Sequence, residues 1–474
     1  MRFRFTSRRA ATRCAIPALG FLAAACGETT SPRDGSSETP TIAITQAAAT
    51  LLPGDSVDLS LEPGAPTGVT WRIAEGEGVA TVSAIGRVRA VAPGTARVVA
   101  EGGLALADTV DVSVPRLGVL TNGWRHFCAI TVDGDARCFG GEEHGELGDG
   151  APAATPNVVA GGHAFRAISA GRDHTCGVRT DGVAMCWGYN AHGQLGTGTR
   201  STDVAGTPEP VAVAGPQRYV AIAAGEAHTC GLATDGGVYC WGRNDLGQLG
   251  SETGSECIFA GTVVQRCQPT PTRVAGTAGY RTLTSGHNFA CAVDADGRAW
   301  CWGAGDWFSR GDGDDAPSFA PGAVGGITRF TFAAAGGLHG CAITAASDTY
   351  CWGLGNSGQN GAGGVITRPE RIASLPPLGM VAGSADHSCG LTMRGEALCW
   401  GSNALGALGN GSASGTGAIP VSVAGGRRYA TIAAGQFRTC AVERGGALYC
   451  WGEVFPGGMS PTPIVVAAGT EFQR

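Results

Sequence analysis

Residues 171–196 read GRDHTCGVRTDGVAMCWGYNAHGQLG. The stretch holds a short apolar run, an Asp181-Gly182 turn, a return run ending in Cys186-Trp187-Gly188, and a Gly-rich exit. The same pattern recurs from Gly225 to Gly250, and degenerate copies begin at Gly123, Gly286, Gly336, Gly383 and Gly435. Seven copies at pitches of roughly 48 to 61 residues mark a repeat architecture.

The cysteines set the register. They fall at 128/138, 176/186, 230/240, 291/301, 341/351, 389/399 and 440/450, always ten apart. The midpoint often lands on a turn: Asp133-Gly134, Asp181-Gly182, Asp235-Gly236, Asp296-Gly297. A turn midway between two apolar runs makes a β-hairpin. Equal distance from the turn sets each Cys opposite its partner, where Cα atoms lie about 4.5 to 5.5 Å apart, within disulfide range. The alternative is a metal site of the type His174, Cys176 and Cys186, three N/S ligands that suit zinc. The chain discriminates: Phe289 and Arg438 stand at the His position in two hairpins, yet both Cys pairs persist. The expected bridges are Cys128-Cys138, Cys176-Cys186, Cys230-Cys240, Cys291-Cys301, Cys341-Cys351, Cys389-Cys399 and Cys440-Cys450. An insertion over 251–268 adds an eighth, Cys257-Cys267. No metal, cofactor or catalytic residue is assigned. The recurring His126, His174, His228, His339 and His387 are read as scaffold.

The chain of 474 residues carries a formal net charge of −6, and all its basic residues are arginine. Without lysine there is neither a P-loop nor a Lys Schiff base. The acidic balance makes nucleic acid a poor partner.

Residues 1–25 read as an export signal: Arg2, Arg4, Arg8, Arg9 and Arg13 precede a short apolar run from Ile16 to Ala25. Ala23-Ala24-Ala25-Cys26 resembles the lipobox of bacterial lipoproteins, in which the Cys is lipidated. The family prefers Leu where Ala23 stands. Residues 26–40 are Gly/Ser/Thr/Pro/Glu-rich and read as a flexible tether. Residues 41–115 alternate in short runs punctuated by Pro53-Gly54, Ile85-Gly86 and Pro93-Gly94, the pattern of a β-sandwich. Val69-Thr70-Trp71, Val79-Ala80-Thr81-Val82 and Ala92-Pro93-Gly94-Thr95-Ala96 resemble the bacterial Ig-like group 2 domain, which implies a stalk or adhesive module with Trp71 in its core.

Residues 116–474 hold the repeats. A second block, Pro followed nine residues later by an aromatic or Leu, leads into each later hairpin (Pro156 to Phe165, Pro210 to Tyr219 and so on), and a last copy, Pro463 to Phe472, ends the chain. The first hairpin has no such block before it. Pairing is complete if the C-terminal block supplies the missing strand of the first unit, which closes a ring and protects its sheet edges. The signatures Ala-Gly-x-x-His-Thr-Cys, Asp-Gly-x-x-x-Cys-Trp-Gly and Asn-x-x-Gly-Gln-Leu-Gly resemble the regulator of chromosome condensation repeat family. The resemblance implies a seven-bladed β-propeller, so the expected fold is all-β, a propeller preceded by a small Ig-like sandwich.

Departures from the repeat point to function. The fourth unit has Gly305-Asp306-Trp307-Phe308-Ser309-Arg310 in place of Asn-x-x-Gly-Gln-Leu. Loop aromatics are typical binding anchors, so Trp307 and Phe308, with Tyr189 and His192, are the expected partner contacts. Arg310-Gly311-Asp312 spells an integrin-type tripeptide, but Gly311 is the repeat glycine. The motif Gly123-Trp124-Arg125-His126, found in a photoreceptor member of the family, occurs once, whereas a tryptophan chromophore needs several. The expectation is an exported, lipid-anchored, monomeric binding protein at a bacterial cell envelope, in the outer membrane or periplasm, that recognises a protein or a glycan. Two alternatives are an envelope glycan-acting enzyme, with Glu142, Glu143 and Glu146 as nearby carboxylates, and a guanine-nucleotide exchange factor by family resemblance.

Overall fold

The computed structural model describes residues 42–467 except 46–47, 51–55, 64, 76–79, 91–93, 103–105, 115–119, 132, 150–152, 202–205, 260–262, 277–278, 327–328 and 455–457. The export signal, Cys26 and the tether over 26–40 lie outside them. Among the described residues no helix is long and apolar enough to cross a membrane.

The N-terminal domain is a sandwich of a four-stranded and a three-stranded sheet. Alternating residues of both sheets, Leu59, Ala80, Val88, Ala96, Val98, Val110 and Val112, meet in its core, and Trp71 packs against that cluster. Over 42–45 the described pairing is a single bridge, Ile44 to Leu61. An extra strand, Ala48–Thr50, runs parallel to Ala107–Val114 instead.

The rest is seven antiparallel sheets, each built from strands consecutive in sequence. Blade 2 shows the plan: Phe165–Ala170, His174–Arg179, Ala184–Gly188 and Thr207–Ala212. Blade 1 covers 120–158, blade 3 219–273, blade 4 280–323, blade 5 330–371, blade 6 378–422 and blade 7 429–467. The first strands of neighbouring blades touch all the way round, including that of blade 7 against that of blade 1. The sheets therefore close into a seven-bladed propeller with the first strands around the axis.

The closure differs from the expected strand exchange. The described part of the last block lies in Gly458–Ala467, which is the fourth strand of blade 7, and the inner strand of blade 1 is Leu120–Asn122 from the other end of the domain. The ring closes by packing: Leu120, Phe127, Ala129 and Phe139 share one apolar cluster with Ala433, Cys440, Val442, Leu448 and Cys450.

Within each blade the Cys pairs sit directly opposite one another across the second and third strands. All seven are bonded, with Cα atoms 4.0–4.1 Å apart. Cys257–Cys267 is offset in register, Cys267 facing Ser255, with Cα atoms 5.8 Å apart. It ties a hairpin that adds a fifth strand to blade 3.

Blades are joined to one another by a relay that explains the recurring histidines. His174 Nε2 lies 2.8 Å from Thr229 Oγ1 of the next blade. Thr229 donates to the Gln194 carbonyl at 2.9 Å, and the Trp241 indole donates to that same oxygen at 2.8 Å. Because the threonine spends its only proton on the carbonyl, His174 donates through Nε2. The pattern recurs at His126–Thr175, His339–Ser388 and His387–Thr439. Burial pushes these imidazoles far below 6.5, to about 3 for His126, His174 and His339 and about 4 for His387. The unfolded chain thus takes up protons first as pH falls. The stabilisation is complete above about pH 6.5 and is lost toward the folded values, with a slope of roughly 1.4 kcal/mol per pH unit for each His. Imidazole NMR is expected to show all four rings neutral at pH 5; any of them titrating near 6.5 in the folded protein contradicts the relay.

Where one half of the relay is missing the other is orphaned. Ala290 stands in the next blade where Thr229 stands for His174, and neither His228 ring nitrogen has a partner among the described residues. Ala290→Thr restores the hydroxyl and is expected to raise stability by about 1 kcal/mol, the net worth of a hydrogen bond. A lower denaturant midpoint for this variant would show that the site has no room for the relay.

Candidate interaction face around the propeller axis

Each first strand ends in a tight turn at one face of the ring, and the turns together surround the axis. The turn glycines are imposed by the neighbour. A Cβ on Gly171 would stand 2.5 Å from the Gly225 carbonyl of the next blade, far inside contact distance. The residue after each turn glycine or its Ser384 counterpart points to the axis and is different in every blade: Trp124, Arg172, Glu226, His287, Gly337, Ala385 and Gln436. They line a recess of about 100 Å³.

Four of these side chains are coupled. The Arg172 guanidinium carbon lies 4.6 Å from the Trp124 ring centroid, and Nη1 donates to Glu226 Oε1 at 2.6 Å. Asn288 Nδ2 donates to Glu226 Oε2 at 3.0 Å. From across the ring the His287 ring approaches Trp124, with centroids 6.0 Å apart. Burial raises the Glu226 carboxyl, but Arg172, His287 and Asn288 together outweigh it and hold the group below the usual range. Burial pushes the His287 imidazole down, against the pull of the Glu226 and Asp386 carboxylates. Blades 1 to 4 thus present an aromatic and charged arc, and Gly337 and Ala385 on the other side leave it open.

The loops between third and fourth strands rise at the same face, because antiparallel strands bring their ends there beside the axial turns. Trp307 is 50 % exposed in the short turn Asp306–Phe308. It occupies the position of His192 in blade 2, and Phe308 occupies that of Gly193. Both Trp307 and Phe308 adopt positive φ, 57° and 60°, a conformation that costs a bulky residue about 1 kcal/mol or more. Tyr189 is half-buried, its ring centroid 4.5 Å from that of His144. His192 departs from expectation: it is 8 % exposed, and its Nε2 lies 2.7 Å from Gln265 Oε1 in the inserted hairpin. It anchors the insertion and is not an accessible contact.

Other sequence features resolve into scaffold. Arg310 takes a buried repeat-Leu position, 1 % exposed, and pairs with Asp312 at 2.9 Å, so the tripeptide Arg310-Gly311-Asp312 is not displayed. Glu146 Oε2 accepts the backbone N–H groups of Glu143 and His144 at 2.9 and 2.8 Å. Gln194 Oε1 receives the His192 N–H in the same way. Glu143 bonds Arg125, and the Glu142 carboxyl is raised by burial, with Asp149 and Glu146 adding to it. These carboxylates serve a loop rather than face each other across a cleft. The axial residues were missed in the sequence although a signal existed: no two copies of the repeat agree at their position, as also at the residue after Cys-Trp-Gly.

Residues 165–194 and 219–248 match one model, and 181–232 and 235–293 a second, of the Regulator of chromosome condensation (RCC1) repeat. Residues 38–103 match the Bacterial Ig-like domain (group 2). The chain is 27 % identical over 225 residues to the ultraviolet-B receptor UVR8 of Arabidopsis thaliana, covering 46 % of this chain and 48 % of the receptor. It is 30 % identical over 212 residues to the E3 ubiquitin-protein ligase HERC2 of Homo sapiens, covering 44 % and 4 %. It thus spans about half the length or less of these curated relatives. Among solved structures, yeast RCC1 (Prp20) bound to Kap60 superimposes with a TM-score of 0.60 at 21 % identity, covering 74 % of this chain and 85 % of that one. Human WBSCR16 gives 0.59 at 18 % identity, covering 67 % and 86 %. Likeness at this identity shows the fold.

Proposed function

We propose, for a chain that carries regulator of chromosome condensation repeats as a seven-bladed propeller behind a group 2 bacterial Ig-like domain, that it is an exported protein-binding module. In this reading Cys26 carries a lipid anchor, residues 26–40 are the tether, and the Ig-like domain is the stalk. The propeller recognises a protein through the face that bears the axial turns. The observation that carries the reading is the contrast between positions. Scaffold positions repeat (the bridged Cys pairs, the His–Thr–Trp relay), while the seven axial positions hold seven different residues. Exposed Trp307 on the same face adds an aromatic anchor of the kind that dominates interface energies. A relative of this fold supports a protein partner: Kap60 was solved bound to yeast RCC1 (Prp20).

Full-length exported protein, used as bait against envelope and secreted proteins and read by mass spectrometry, is expected to retain a saturable partner. Trp124→Ala combined with Trp307→Ala should weaken capture at least tenfold without changing the melting temperature. Equal capture by the variant would remove the face from the account. Labelling with an alkyne fatty acid tests the anchor: wild type should be labelled and Cys26→Ser not.

A further inference from the structure

The junction between blades 7 and 1 is built unlike the other six. Elsewhere a blade's exit loop offers a carbonyl to the next blade's indole: Glu146 to Trp187, Gln194 to Trp241, Gln248 to Trp302, Ser309 to Trp352, Gln359 to Trp400 and Ala407 to Trp451. At the seam both halves are gone. Blade 7 passes from Leu448–Val454 to Gly458–Ala467 without the Asn-x-x-Gly-Gln-Leu loop, and blade 1 has Phe139 where the others have Trp.

What remains is a partly open pocket of about 170 Å³ whose walls include Phe127, Phe139, Arg438, Glu453, Val454 and Val466, with the exposed Ile464 and Val465 at its rim. Phe127 and Phe139 stack, centroids 5.2 Å apart and 12° from parallel. Arg438 replaces the relay histidine and is 2 % exposed. Its guanidinium carbon lies 5.0 Å from the Phe127 centroid, and Nη2 donates to Glu453 Oε2 at 3.1 Å. Its Nε–H is buried and has no acceptor among the described residues. A buried donor left unmade pays its full desolvation penalty, so the site calls for an acceptor oxygen. Its size suits a single ring: an apolar void of about 150 Å³ in another protein takes up benzene.

We propose that the seam is a binding site for a small neutral aromatic molecule carrying one acceptor oxygen. The ring packs on Phe127, Phe139 and Val466, and the oxygen accepts from Arg438 Nε. The ligand is neutral because Arg438 and Glu453 already balance each other, and a second carboxylate would meet Glu453. The site is separate from the axial face and does not depend on the partner proposed for it.

Acetophenone supplies a ring and an acceptor; toluene supplies only the ring. Ligand-observed NMR titration of the full, disulfide-bonded chain is expected to show saturable binding of both. Acetophenone should bind about tenfold more tightly, the scale of one hydrogen bond to a charged donor. Phe139→Trp restores the repeat residue and should abolish binding of both probes while leaving the melting temperature unchanged or higher. Arg438→Met should keep toluene and erase the preference for acetophenone; if that variant does not fold, Phe139→Trp alone decides. The proposal is overturned if neither probe saturates up to its solubility, if Phe139→Trp binds as wild type does, or if folded Arg438→Met keeps the preference.

Discussion

Protein unfolded and refolded with its disulfides reduced is expected not to regain the propeller. Its near-ultraviolet tryptophan circular dichroism should stay flat under conditions where the oxidised protein shows a cooperative melt. Each in-blade bridge closes a loop of about eleven residues and contributes at most roughly 3 kcal/mol by restricting the unfolded chain. A whole domain commonly keeps only about 5 to 15 kcal/mol, so losing seven such bridges, about 10 kcal/mol even if each delivers half its limit, removes a margin of that size. The residues around the bridges explain why they are needed. The inward positions of the second strands are often alanine (Ala129, Ala290, Ala292, Ala342, Ala441), all buried and all small. Such strands remove little apolar surface from water, and hydrophobic stabilisation scales with that area. A reduced protein with an unchanged melt would mean that packing alone holds the blades.

Trp241→Ala is expected to cost about 4 kcal/mol, within the range for deleting a buried aromatic, and to lower the urea midpoint accordingly. The indole is fully buried between blades 2 and 3, packs with Tyr219 and donates to the Gln194 carbonyl. Thr229 still bonds that carbonyl in the variant, so the loss is chiefly one of packing. Trp307→Ala is the control: the side chain is half exposed, and surface changes usually stay within about 0.5 kcal/mol. Equal effects at the two positions would contradict the division between scaffold and display tryptophans.

Hairpin register was legible because the Cys spacing and the Asp-Gly turns report the same local geometry twice. The mode of closure was not. The block from Pro463 to Phe472 has one signature whether its strand completes the sheet before it or the sheet after it. Only the pairing of Gly458–Ala467 with Leu448–Val454 decides. The histidines were legible as scaffold, but their bond to a hydroxyl one blade away was not. Their true partner left a trace: Phe289 with Gly340, and Arg438 with Phe127, lose both halves of the relay together. His192 misled because burial by the inserted hairpin is a contact between distant parts of the chain, with no local mark. Trp307 stood out as a departure from the repeat and is exposed in the structure.

The central claim is that the propeller recognises its partner with the face around the axis. Amide hydrogen exchange on the full oxidised chain, alone and with the captured partner, tests it most directly. The account predicts new protection at 124–126, 172–174, 226–228, 287–289 and 305–309. Protection confined to the opposite turns at 133–134, 181–182, 235–236 and 296–297, or to the Ig-like domain, would contradict it.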